Sequence, residues 1–198
     1  MIYSDLIDEY INLEISVLKN LSREELSKFI FELDEARKRD ATIYIMGNGG
    51  SAATASHFVN DFNKGVSEYI EQKFRFTCLN DNVSTIMAIA NDISYDAIFE
   101  FQLRGKVTAN DLVIGISGSG NSKNVLRAIE LAKSVGAKTV GLTGFDGGKL
   151  KQIVDLSVHV PVMSMQVTED VHMMFDHLAM SIFYKILCGK NHLKAVAS

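Results

Sequence analysis

The sequence predicts an α/β fold: a doubly wound parallel sheet of five strands flanked by helices, with an N-terminal helical hairpin. Three observations carry that prediction. Strand-like runs alternate with segments of helical length, the mark of βαβ units. The runs are near-continuous in Val, Ile and Leu, as strands buried on both faces require. Two of them pass straight into a glycine/serine loop and then a helix. With 198 residues, 47% of them apolar, the chain can bury one sizeable core, and no Pro/Ser-rich linker divides it. Residues 1–198 are therefore expected to form one domain, with helices over 1–40 and an α/β core over 41–198.

The elements follow in order. Leu6, Ile7, Tyr10, Ile11, Ile15 and Leu18, then Leu26, Phe29, Ile30 and Leu33, recur at helical spacing. Ser22-Arg23-Glu24-Glu25 between them reads as a capping box, so two helices break near Asn20–Ser22. The apolar stripe of such a hairpin serves either subunit association or cover for its own sheet. Strands are expected over Thr42–Met46, Phe74–Leu79, Asp111–Ile116, Thr139–Leu142 and Leu156–Val160. Gly136 stands where a helix C-terminal glycine belongs. Thr168 reads as the N-cap of a long final helix over Asp170–Leu187.

The loops carry the chemistry. The first is Gly47-Asn48-Gly49-Gly50-Ser51 and the second Ser117-Gly118-Ser119-Gly120-Asn121-Ser122; both lack the lysine of a nucleotide P-loop. Glycines let backbone N–H groups turn inward, and the following helix N-terminus adds partial positive charge, so each loop suits an anion. With serine hydroxyls as the remaining donors, the expected cargo is a small phosphorylated molecule bearing sugar hydroxyls. In a doubly wound sheet such loops lie at strand carboxyl ends and can converge on one ligand. Gly47 to Ala52 also fits the dinucleotide pattern G-x-G-x-x-A, but that reading needs an acid about twenty positions on. Here the next strand ends near Asn80-Asp81, over thirty positions on, which argues against a nicotinamide enzyme.

His57 and Asp61, four apart, share one helix face and could hold a metal, act as an acid/base pair, or form a plain surface contact. The final helix offers Glu169, Asp170, His172, Asp176 and His177. Acids in a first turn are favoured by the helix dipole alone, and His172 and His177 could equally be packing residues. The net charge of −4 and the lack of a basic run beyond Arg37-Lys38-Arg39 argue against nucleic acid. Two isolated cysteines, Cys78 and Cys188, make no disulfide framework, and the N-terminus lacks a signal-like pattern; a cytoplasmic protein without membrane contact is expected.

The residues Gly47 to Ser51, Ala55-Ser56-His57-Phe58, Ala90-Asn91-Asp92, Gly115 to Ser122 and Leu142-Thr143-Gly144-Phe145-Asp146-Gly147-Gly148 resemble the sugar isomerase (SIS) domain, a flavodoxin-like fold. Within it the chain is most similar to the phosphoheptose isomerases, which interconvert sedoheptulose 7-phosphate and a heptose 7-phosphate. The resemblance implies that Asn48, Gly49, Ser51, Asp92, Ser117, Gly118, Ser119 and Ser122 contact the sugar phosphate. It implies a divalent metal, zinc or a similar ion, on His57, Asp61, Glu169 and His177, with Asp61, Glu169 and His177 as the catalytic groups. It also implies a homo-oligomer, commonly a tetramer with sites at subunit contacts. The chain departs from the family at Asp61 and Glu169, where the family has glutamate and glutamine, at Gly65 for an arginine, and at Gly118 for a threonine; Met165-Gln166-Val167 lacks a charged pair. Glu169 and His177, eight apart, would be about 12 Å from one another in regular helix. Glu169 must then precede the helix, or the ligands come from neighbouring subunits. The leading expectation is a metal-assisted aldose/ketose isomerase; the alternative is a non-catalytic sugar-phosphate-binding regulator or adaptor of the same fold.

Overall fold

A computed structural model describes residues 3–190. Its elements run α1 (Ser4–Asn20), α2 (Arg23–Lys38), β1 (Ile43–Gly47), α3 (Gly50–Asn60), β2 (Phe76–Cys78), α4 (Val83–Asp92), α5 (Glu100–Leu103), β3 (Leu112–Ser117), α6 (Lys123–Ser134), β4 (Lys138–Thr143), α7 (Gly148–Ile153), β5 (Leu156–His159) and α8 (Met165–Leu187). All five expected strands form, in the order β2-β1-β3-β4-β5, and every pairing is parallel. After β1 the chain crosses to β2 on one side and then to β3 on the other. Ligands in such sheets bind at that reversal, outside the strand carboxyl ends. The register sets Gly47 opposite Ile116, so the two glycine/serine loops leave the sheet side by side.

Two apolar layers cover the sheet. Phe29 and Leu33 of α2, Phe58 of α3 and Val171 and Phe175 of α8 pack with Ile43, Ile45, Leu112 and Ile114. Ile89 of α4, Leu103 of α5, Val125 and Ile129 of α6 and Leu150 of α7 pack on the other face with Met46 and Val113. The alternation along β1 and β3 between the two layers is the period-two consequence of strand geometry.

The hairpin divides its labour. Helix α2 buries Leu26, Phe29, Leu33 and Ala36 and covers its own sheet. Helix α1 buries only Val17 and leaves Leu6, Ile7, Tyr10, Ile11, Leu13 and Ile15 exposed. Ser22 caps α2 through the Glu25 amide at 3.1 Å, while the Glu25 carboxylate turns away to accept from the His159 amide.

One expectation is corrected. Thr168 is not the N-cap of the final helix; Ser164 is, its hydroxyl accepting from the Val167 amide. Thr168 is fully buried inside α8 and its hydroxyl donates to the Ser164 carbonyl at 2.8 Å. Both residues are good caps in isolation, and burial of the threonine methyl against Gly144 decides between them. Glu169 therefore lies in regular helix.

Candidate active site

The crevice is built from the two loops and the start of α8. Asn48, Gly49, Gly50 and Ser51 form one wall and Ser117, Gly118, Ser119 and Ser122 the other, with Met165 and Glu169 closing a space of about 240 Å³. Every sequence-expected sugar-contact residue except Asp92 is here. Asp92 ends α4, exposed and held by the Asn91 amide group at 2.8 Å, outside these walls.

Ser22, Asn82 and Ser164 each cap their own helix through a side-chain oxygen. At the crevice this fails twice: Gly49 has no side chain to offer α3, and the Ser122 hydroxyl makes no cap bond to α6 but lies 3.1 Å from the Ser117 hydroxyl. Two helix N-termini thus face one space without a capping oxygen from Gly49 or Ser122, the arrangement that attracts an anion. Gly49, at φ +55°, supplies a turn that a side chain would strain. Gly120, at φ +66°, lets the second loop lie against the Gly147 carbonyl, where a Cβ would collide.

Asn124 and Tyr95, which the sequence reading did not single out, hold this crevice together with Met165. Asn124 and Asn48 exchange amide hydrogen bonds at 2.9 and 2.8 Å, tying α6 to the first loop. The Tyr95 hydroxyl donates to the same Asn48 oxygen at 2.9 Å. Met165 fills the space at Gly118: a Cβ there would meet its sulfur at 2.6 Å, so the methionine stands where the family threonine would project. At Gly65, a Cβ would meet the Met180 methyl at 2.5 Å, and the neighbouring Lys64 is tied to Glu68 at 2.8 Å, so neither takes the place of the family arginine.

Helices α3 and α8 run side by side from this crevice. Gly50 faces the Glu169 carboxylate so closely that any Cβ would displace it. Seven residues further along each helix, His57 meets Asp176 and His177. The His57 and His177 Nε2 atoms are 3.1 Å apart, and His57 Nε2 lies 3.5 Å from Asp61 Oδ2 and 3.7 Å from Asp176 Oδ2. His177 Nε2 lies 3.9 Å from Asp61 Oδ2. Asp61 begins a single π turn, Asp61–Gly65, that interrupts the helical repeat at this point; such turns are frequent at functional sites.

Asp176 is the least expected member. It is 0% exposed, and neither carboxylate oxygen has a hydrogen-bond partner. Burial first, then the negative charge of Asp61, pushes its carboxyl up to about 8. Its signal in the sequence is the seven-residue interval from Glu169, which puts both acids on one face of α8.

One donor atom from each of His57, Asp61, Asp176 and His177 lies within 4.8 Å of all the others. A tetrahedral ion with bonds near 2.0 Å sets its donors about 3.3 Å apart, so these spacings fit a divalent cation. The buried Asp176 carboxyl, without a hydrogen-bond partner, argues the same way, since a cation between it and Asp61 would hold it ionised. Glu169, one of the four ligands implied by the resemblance, is not in this group: eight residues of regular helix carry it about 12 Å from His177, and it sits on the crevice wall instead.

A larger cleft at the opposite ends of the strands includes Arg39, Lys133 and Lys138, but Lys133 is paired with Asp155 and Lys138 with Glu32. It offers no comparable concentration of free donors.

Residues 9–144 match the SIS domain family. The chain is 35% identical over 176 residues to the phosphoheptose isomerase of Aliarcobacter butzleri, covering 88% of this chain and 93% of that one. It is 38% identical over 157 residues to the phosphoheptose isomerase of Helicobacter pylori strain HPAG1, covering 79% and 81%. The structure of phosphoheptose isomerase GmhA from Neisseria gonorrhoeae superposes with a TM-score of 0.84 at 26% identity, covering 92% of this chain and 98% of that chain.

Proposed function

The chain belongs to the SIS domain family, and from that premise we propose that it is a sugar phosphate isomerase of the aldose–ketose class, converting sedoheptulose 7-phosphate to D-glycero-D-manno-heptose 7-phosphate. The observation that carries this reading is the seam between α3 and α8, with an anion crevice at one end and a pair of histidines with two carboxylates further along. The seven residues from Gly50 to His57, and from Glu169 to Asp176, rise about 10.5 Å. A linear seven-carbon sugar phosphate, a zigzag of ~1.5 Å bonds, is about 10 Å from phosphate to first carbon. With its phosphate in the crevice that Gly50 and Glu169 help to wall, its carbonyl end reaches the histidines.

Isomerisation removes a proton beside the carbonyl and returns one to the neighbouring carbon, through an enediol. Asp61 takes a proton from one carbon, His177 gives its own to the neighbouring carbon, and Asp61 hands the proton it took on to His177, which restores both groups across the 3.9 Å between them. Asn48 and Ser51, with Glu169 across from them, orient the sugar hydroxyls, and the serines of the second loop hold the phosphate. His57, Asp61 and His177 would hold a divalent cation, and their nitrogen and carboxylate donors suit zinc. Such an ion, when bound, supplies an electrophile for the oxyanion. The exposed apolar face of α1 is the interface of a homo-oligomer, read as a tetramer working in the cytoplasm.

The test is a turnover assay of the wild-type protein on sedoheptulose 7-phosphate and a panel of hexose and pentose phosphates. Turnover of the heptulose phosphate above the shorter sugars is the expected result. Binding without turnover on every member would instead make the protein a sugar-phosphate-binding regulator.

A further inference from the structure

We propose that Asp176, not Glu169, is the fourth protein donor for the divalent cation, so that all four donors come from one protomer and Glu169 is released to the sugar pocket. The inference rests on the reading of His57, Asp61 and His177 as cation ligands and goes beyond it by exchanging one ligand for another.

Geometry supports the exchange on both sides. Asp176 Oδ2 lies 3.7 Å from His57 Nε2, within the range that the other donor pairs span. Its two oxygens are buried without a hydrogen-bond partner, facing His57 at 3.7 Å and a second carboxyl group, Asp61. Glu169, by contrast, is half-buried on the crevice wall beside Gly50, two turns of helix away. It is not among the donors that lie within 4.8 Å of one another, whereas Asp176 is.

Charge and length support it as well. Two neutral imidazoles and two carboxylates carry two negative charges, which match a divalent ion. Asp61 is one methylene shorter than the glutamate implied by the family resemblance. A second aspartate rising from the facing helix lets the ion sit between the helices, within reach of both short side chains. The π turn that begins at Asp61 re-aims that residue toward the seam. The consequence is a division of work along α8: Asp176 and His177 serve the ion, and Glu169 serves the substrate.

The experiment uses the full chain, stripped of metal by a chelator and titrated with Co(II) followed by its visible absorption, and with Zn(II) followed by calorimetry. No sugar phosphate is present, so the outcome is independent of whether the protein turns one over. Wild type and Glu169→Gln should bind one ion per protomer with affinities within threefold of each other. Asp176→Asn should bind at least tenfold more weakly and with a changed Co(II) spectrum. Wild-type affinity and spectrum in Asp176→Asn would overturn the proposal. So would a loss in Glu169→Gln of tenfold or more, an arm that decides the matter even if Asp176→Asn fails to fold.

Discussion

The crevice and the histidine cluster share two helices but are made in different ways. The crevice is mostly backbone: glycine turns, two uncapped helix ends and a few hydroxyls, fixed once β1 and β3 pair. The cluster is entirely side chain, and it exists only because α3 and α8 pack in one particular register. The difference separates two tasks. Backbone donors hold a charge that does not change during a reaction, while titratable side chains move protons. A perturbation confined to one region should therefore leave the other working.

The most severe way to break that separation is to remove the proposed acid. His177→Ala should lower turnover by about a thousandfold, the middle of the range for general acid–base groups. Affinity for sedoheptulose 7-phosphate, followed by calorimetry, should stay within about threefold, because no crevice wall is touched. Equal loss of both would mean that the histidine binds substrate.

Acid should disable both regions at once, through the helix they share. His172 lies on α8 between Glu169 and Asp176, fully buried, with neither ring nitrogen hydrogen-bonded. Burial pushes its pKa down to about 4, against the smaller opposing effect of the Thr143 backbone. Above about pH 6.5 the imidazole is neutral in folded and unfolded chains alike, and this group costs nothing. As pH falls from 6.5 toward 4 the unfolded chain takes up the proton and the folded one does not, so stability is lost. The loss amounts to about 3 kcal/mol at most. Asp176, whose carboxyl burial raises to about 8, gives the opposite slope over the same range, so the share of His172 is the difference between wild type and His172→Leu in denaturant titrations at pH 7 and pH 4.5.

A smaller effect should come from the crevice alone. Gly120→Ala puts a Cβ into the Gly147 carbonyl at a positive φ, which costs about 1–3 kcal/mol of strain or displaces the second loop. KM for the sugar phosphate should rise about tenfold while kcat changes less than threefold. A fall in kcat with KM unchanged would tie this loop to the chemistry instead of to binding.

The same contrast explains what the sequence disclosed. The strands were legible because their apolar runs are buried on both faces, and the loops because glycine and serine at a strand end have few other uses. The long final helix was legible, but its start was not: Thr168 and Ser164 are both competent caps, and only the packing of Thr168 against Gly144 separates them. Reading Thr168 as the cap left Glu169 just before the helix, whereas it lies within α8. Asp176 was visible as an acid, yet no spacing within one helix says which residue His57 faces on another. Tyr95 and Asn124 left no signal, since their meeting at Asn48 joins segments 47 and 76 residues away.

The central claim is that anchoring and proton transfer are separable. It is tested most directly by treating the protein with a chelator of divalent cations and measuring sedoheptulose 7-phosphate affinity and turnover on the same sample. The account predicts turnover reduced by about a hundredfold or more with affinity within about threefold of the untreated protein. Affinity lost in step with turnover, or turnover undiminished once the ion is gone, would contradict it.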